Sequence, residues 1–263
     1  MAPLVETIRA GGLTLVAFPP SAFGLYLAPH ATQSGHTVPG RAAEALAADP
    51  RLVAALDGPM FGLCGGGGYP TATCADLDYL HYDPDAGIND PGEDPTKGVT
   101  IGADRLLGRA LVATGGRVPP GARVAVQLYP ALVRQGQIVT SATVNPDHVW
   151  RAGLAILADG RLAFATLIGS MDEFARALVA AGAREAGYTD GGGSTRLEIA
   201  GEGFVGDREN RRVASFLVVR RPAELTATRI ALGSLGVVAT AAAVYGIVRL
   251  WRRPDTSGRP ARG

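Results

Sequence analysis

The string Tyr188-Thr189-Asp190-Gly191-Gly192-Gly193-Ser194-Thr195 holds the residue types best suited to chemistry in this chain. Three consecutive glycines have no side chain to keep a ligand away from the backbone, and they reach positive φ without strain. Successive N–H groups in such a loop can form a concave nest for phosphate or carboxylate oxygens. Asp190 brings a carboxylate to one edge of Gly191, Gly192 and Gly193, and Ser194 and Thr195 bring hydroxyls to the other. The chain has 36 glycines, so a plain flexible turn is the competing reading.

Several other motifs are excluded. A P-loop requires Gly-Lys-Ser/Thr, and the single lysine, Lys97, stands between Thr96 and Gly98. A nucleophile elbow requires G-x-S-x-G, and Gly192-Gly193-Ser194 is followed by Thr195-Arg196. There is no C-x-x-C and no H-E-x-x-H, so neither a zinc ribbon nor a zincin is supported.

The elements around the loop are partly legible. Ser170 is a natural N-cap, and Glu173 completes a capping box. Met171, Phe174, Ala175, Leu178 and Val179 then form an apolar stripe at helical spacing, and Gly182 supplies a stop. Just before this helix, two apolar runs within 154–167 flank Asp159-Gly160, the signal of a two-residue type I′ hairpin. Residues 13–18, 124–128, 137–140, 196–199 and 213–219 read as strands. Residues 41–56 are Ala-rich and read as helix, interrupted at Asp49-Pro50. Residues 62–122, rich in Gly, Pro and Asp, read as a loop-rich insertion. The fold class expected is α+β, with mixed or antiparallel sheets and a few packed helices.

Read together, the Ser170 helix and the glycine loop resemble the phosphodiester glycosidase family. Its members have a helix ending in Gly-Ala, a strand, then Asp-Gly-Gly-Gly-Ser-Ser/Thr. Here these are Gly182-Ala183 and Asp190 to Thr195. The family's later Arg-Pro-Val segment is matched by Arg211-Arg212-Val213, with Arg212 for the proline. Its Arg-Thr-Ala-x-Gly resembles Arg151-Ala152-Gly153, and its Asn-Gly-Gly-x-Phe resembles Asp57-Gly58-Pro59-Met60-Phe61. Asp57, Pro59 and Ala152 are departures, and Pro59 removes a backbone donor. The resemblance spans roughly residues 10–221.

That resemblance implies hydrolysis of a sugar 1-phosphodiester, on a phosphorylated glycan or sugar-phosphate substrate. The loop amides with Arg151 and Arg211 would neutralise the phosphoryl group, because guanidinium forks match phosphate oxygens. Asp190 or Asp57 would act as general base, nucleophile or oxocarbenium stabiliser. Ser194 would orient the substrate, and His148 is a further candidate substrate-binding side chain. Two carboxylates beside a phosphate would also suit a divalent cation, and the sequence does not decide the metal requirement. Plainer roles compete throughout: Arg151 at a strand edge, Arg211 on a solvated face, Asp57 at a helix end, His148 at the surface. A non-catalytic membrane-anchored binder of a glycan or anionic polymer is the alternative function.

Composition sets the surroundings. Of 263 residues 47% are hydrophobic and 19% charged, which excludes a disordered chain. A net charge of +1 argues against a nucleic-acid partner bound by bulk charge. The balance is uneven, because residues 249–263 hold five arginines against Asp255. Ahead of them, residues 230–248 contain no charged residue. Nineteen residues at about 1.5 Å each span roughly 28 Å, close to the hydrocarbon thickness of a bilayer. The expected organisation is a domain over 1–225, one transmembrane helix over 226–251 and a basic tail over 252–263, single-pass with the orientation open. Cys64 and Cys74 are too few for a disulfide scaffold, and the sequence leaves open whether they pair.

Overall fold

The computed structural model describes residues 4–27, 40–59, 61–64, 74–92, 95–139, 146–209 and 211–221. Residues 1–222 form one compact unit. The apolar run 230–248 and the basic tail lie outside the described residues. Among the described residues no helix is long and apolar enough to cross a membrane.

The unit is built mostly from antiparallel sheets with few helices. A seven-stranded sheet runs in the order Glu6–Ala10, Leu13–Phe18, Leu162–Gly169, Val149–Leu157, Ala183–Tyr188, Ala131–Arg134, Gln137–Ile138. One five-stranded sheet has the order Arg109–Thr114, Val99–Asp104, Val124–Leu128, Tyr79–Asp83, Ile88–Gly92. The other has the order Gly203–Gly206, Arg196–Ile199, Leu52–Asp57, Ser215–Arg220, Phe23–Leu27.

Alternation along the strands explains the layers. Val16, Phe18, Leu154 and Phe164 point to a shared core with Ile101, Val126, Leu56 and Leu217 of the two smaller sheets. Leu15, Ala17, Ala163 and Ala165, on the opposite face, pack against Phe174, Ala175 and Leu178 of the Met171–Ala180 helix. In the same way Ala55, Phe216 and Val218 turn from the shared core to Ala42 and Ala45 of the Ala42–Ala48 helix. Central strands are therefore buried on both faces and read as unbroken apolar runs, without a period of two.

The second helix forms as its punctuation dictates. Ser170 Oγ accepts from the Glu173 N–H at 3.2 Å, Glu173 Oε2 accepts from the Ser170 N–H at 2.7 Å, and Gly182 follows with φ of 87°. Three expectations are corrected. The helix expected over 41–56 ends at Ala48, and Leu52–Asp57 is a fully buried strand. Pro50 holds Asp49 extended, and the Asp49 carboxylate then accepts from the backbone and guanidinium of Arg51. Residues 62–122 carry four strands of one five-stranded sheet, Tyr79–Asp83, Ile88–Gly92, Val99–Asp104 and Arg109–Thr114. The glycines, prolines and aspartates there mark the turns between them, as at Asp104, whose Oδ1 accepts from the N–H groups of Leu106 and Leu107. The hairpin at Asp159-Gly160 has a three-residue loop in place of the two-residue one. Leu157 N–H donates to Arg161 O, Gly160 N–H to Leu157 O, and Gly160 takes φ of 86° as the bulge residue.

Strand direction then fixes where the chemistry lies. Leu52–Asp57 ends, Val149–Leu157 begins, Ala183–Tyr188 ends and Ser215–Arg220 begins at one edge of the unit.

Candidate active site

Asp57 is the last residue of its strand and is 1% exposed. Its Oδ1 accepts from the Arg196 N–H at 3.1 Å, and its Oδ2 lies 3.4 Å from the Thr189 hydroxyl. Thr189 is tied in turn to the neighbouring strand through its N–H and Ala152 O, at 3.1 Å. Asp57 therefore joins the strand end, the residue before Asp190 and the residue after Thr195. Burial pushes its carboxyl well above the ordinary 3.8, and the nearby Asp190 charge adds to the rise.

Asp190 is better placed to keep its charge. Burial raises its pKa, but the Ser194 hydroxyl, the Gly191 N–H at 2.7 Å and the Arg211 charge all favour the carboxylate. Two carboxyls with unequal partners divide the protonation states. Burial and the Asp190 charge favour the proton on Asp57, and the partners of Asp190 favour its carboxylate. A protonated Asp57 presents one donor and one acceptor, the same hydrogen-bonding set as asparagine.

The glycines of the loop are spatial requirements. A Cβ on Gly191 would lie 1.7 Å from the Tyr188 hydroxyl. One on Gly193 would lie 2.1 Å from Glu209 Oε2 and 2.6 Å from Arg211 Nε. The Arg211–Glu209 ion pair, 2.8 Å between Nε and Oε1, thus lies directly over Gly193. Gly192 has φ of 61° and nothing within 4 Å of a Cβ, so it needs glycine for its backbone conformation alone.

Arg151 is reached through an intermediary. Its Nε donates to Gly169 O at 3.1 Å and another guanidinium nitrogen to Asp147 O at 2.7 Å. A third contacts the Tyr188 hydroxyl at 3.5 Å, the hydroxyl that Gly191 accommodates. Burial pushes that phenol up to about 12 despite the guanidinium, so Tyr188 stays a neutral donor. His148 Nε2 is 2.9 Å from Glu173 Oε2, on the exposed cap of the helix.

The structure adds a pair that carries no sequence motif. His81 Nδ1 lies 2.7 Å from Tyr79 O, and Nε2 lies 2.8 Å from Ser215 Oγ. A carbonyl only accepts, so Nδ1 carries the hydrogen and Nε2 accepts the serine proton. Burial lowers the His81 pKa and keeps it neutral. Ser215 O accepts the Gly58 N–H at 2.9 Å, which places this buried pair beside the end of the Asp57 strand. A lone histidine and a lone serine 134 residues apart give no signal in a sequence scan.

The carboxylates at the loop are Asp57, Asp190 and Glu209, which lies over Gly193, and both aspartates accept hydrogen bonds from the chain. Among the described residues, no three of His, Cys, Asp and Glu gather into a group that could hold a metal ion.

Replacing Asp57 by asparagine tests its protonation state. The folded protein keeps a proton that the unfolded chain releases near pH 3.8, so wild-type stability falls as pH rises from there toward the folded-state pKa. Asp57→Asn keeps the donor and acceptor without that dependence. The variant is expected to melt higher than wild type at neutral pH, by about 2–4 °C for each kcal/mol regained. The two curves should converge in acid. A variant that melts lower at neutral pH would show Asp57 ionised.

Residues 96–220 match the family model of the phosphodiester glycosidases. No curated protein sequence matches the chain. Among solved structures, the catalytic domain of zebrafish N-acetylglucosamine-1-phosphodiester α-N-acetylglucosaminidase, auto-inhibited by its pro-peptide, superposes with a TM-score of 0.64 at 13% identity. That match covers 84% of this chain and 85% of the zebrafish one. A Burkholderia pseudomallei protein superposes with a TM-score of 0.54 at 13% identity, over 80% and 74% of the two chains. At these identities the structures establish a shared fold. The chain thus resembles the phosphodiester glycosidase family, in sequence over residues 96–220 and in fold over most of its length.

Proposed function

We propose that this chain hydrolyses a sugar 1-phosphodiester, releasing a free sugar and a phosphomonoester. The observation that carries the reading is the placement of Asp190 and the buried Asp57 at a glycine loop overlaid by Arg211. The loop N–H groups and Arg211 hold the phosphoryl oxygens. Water attacks the anomeric carbon and gives its proton to Asp190. The bond from that carbon to the phosphate oxygen breaks, and its electron pair leaves with the phosphate. Asp190 also faces the positive charge that develops on the sugar ring.

The test uses the full chain in detergent and a hexose 1-(methyl phosphate). Hexose and methyl phosphate are expected in equal amounts, and isotopically labelled water should place its oxygen on the sugar. No release, or label on the phosphate, would overturn the reading. Arg211→Gln is expected to lower kcat/KM by ~10–100-fold, the loss of one charge-assisted contact of about 1.5–3 kcal/mol. The effect should fall mainly on KM.

The second reading is a non-catalytic binder of a glycan or anionic polymer. It draws on Arg151, whose guanidinium is engaged by two backbone carbonyls and a phenol. Ligand-dependent stabilisation without turnover would favour it. In either reading, membrane attachment rests on the uncharged run 230–248.

A further inference from the structure

The end of the unit away from the loop carries an unusual feature. Arg105 to Gly108 form the turn between the Val99–Asp104 and Arg109–Thr114 strands. Leu106 is 76% exposed and Leu107 64%, the two most exposed large apolar side chains among the described residues. They are held rigidly. Asp104 Oδ1 accepts from both of their N–H groups at 3.1 Å, Gly108 takes φ of 62°, and Arg109 reaches back to Asp104 at 3.6 Å. Folding rarely builds a fixed turn to hold two neighbouring leucines in water. Beside the tip, Pro19, Pro20, Ala110 and Ile156 line an open groove of about 510 Å³.

The chain leaves the described unit at this same end. The guanidinium groups of Arg105 and Arg220 meet over Gly24, where a Cβ would lie 3.4 Å and 3.7 Å from them. Arg221, the last described residue, donates its N–H to Arg51 O at 2.8 Å. The uncharged run begins at Ile230, nine residues on, and nine residues reach at most roughly 30 Å.

We infer that this end of the unit docks on a lipid bilayer, with Leu106 and Leu107 inserted at its interface. Bilayer contact is set by apolar insertion. Four arginines of this face are paired with carboxylates: Arg51 with Asp49, Arg105 with Asp83 and Asp85, Arg109 with Asp104 and Arg161 with Asp159. Docking is therefore indifferent to anionic lipid. The glycine loop lies at the other end of the Val149–Leu157 strand, roughly 26 Å away at about 3.3 Å per residue. The docked unit turns its candidate active site toward the aqueous phase.

The experiment reads depth and uses no activity, so it stands or falls apart from the hydrolase reading. The full chain, with Trp150→Phe and Trp251→Phe, is reconstituted into phosphatidylcholine vesicles with and without phosphatidylserine. Leu107→Trp is compared with Ile168→Trp, an exposed position at the loop end of the unit. Brominated phosphatidylcholine is expected to quench Leu107→Trp several-fold more than Ile168→Trp, equally in both vesicles. Leu106→Trp should repeat the result, and Leu106→Asp should reduce the quenching of Leu107→Trp. Equal quenching at both ends, no quenching at the tip, or quenching confined to phosphatidylserine vesicles would overturn the proposal.

Discussion

Asp190→Asn is expected to lower kcat by about 10²–10⁴-fold on a sugar 1-phosphodiester, the range for a lost acid–base group. The substitution removes a charge and little volume. The asparagine can still accept from Gly191 and Ser194, so the loop should keep its shape. Burial raises the pKa of Asp190, so removing the charge also relieves a desolvation penalty and should leave the melting temperature at least unchanged. The pH profile carries the complementary signal. Wild-type kcat should rise with pH as Asp190 ionises, at a pKa above the ordinary 3.8. In Asp190→Asn that limb should vanish. The contrast with Asp57→Asn is the decisive part, because the same exchange at the proton-bearing partner should leave kcat near or above wild type. If Asp190→Asn kept kcat within about 10-fold, too small an effect for the acid–base role, Asp190 would only shape the loop.

That contrast bears on how much could be read from the sequence. The glycine loop, the Ser170 capping box and the strands at 13–18, 124–128 and 196–199 were legible because each rests on local rules of capping, turn chemistry or apolar runs. The helix expected over 41–56 failed where such rules are ambiguous. A strand buried on both faces has no alternation, so Leu52–Asp57 looks like the continuation of an Ala-rich helix. Residues 62–122 failed for a related reason. Their many turn residues hid short strands, such as Val99–Asp104, which pairs with both Arg109–Thr114 and Val124–Leu128.

At the site, Asp57 stands where the family has asparagine, and residue type alone suggests an unwelcome negative charge. Complete burial and the neighbouring Asp190 work against that conclusion by favouring the protonated form. Burial is a tertiary property and leaves no local trace. The same holds for Tyr188, visible in the loop string, whose hydroxyl links Arg151 to the Gly191 backbone only after three strands are in register. The resemblance to the family offers candidate positions, and the packing around them shows which partners each has.

Gly58→Ala is expected to destabilise the unit by about 2–6 kcal/mol, the sum of an overpacked contact and a buried hydrogen bond put at risk. Gly58 has no positive φ, so its need for glycine is one of space. A Cβ there would lie 2.1 Å from Ser215 Oγ and 2.9 Å from Ser215 O. The hydroxyl is unable to move aside freely, because it donates to His81 Nε2 at 2.8 Å and the ring is fixed by Tyr79 O at 2.7 Å. Rotating Ser215 would leave a fully buried imidazole nitrogen without a donor. Nor can the backbone retreat easily, since the Gly58 N–H bonds to Ser215 O at 2.9 Å. Relief therefore has to come from the strand end that carries Asp57. Thermal unfolding of Gly58→Ala, Ser215→Ala and the double variant measures this directly. Ser215→Ala alone should cost about 1–3 kcal/mol, because it strips His81 of its donor. Adding Gly58→Ala to it should cost clearly less than Gly58→Ala in wild type, with a coupling of about 1 kcal/mol or more. Strictly additive losses would mean that the alanine is accommodated elsewhere, and that the His81–Ser215 pair does not fix the strand end beside the candidate active site.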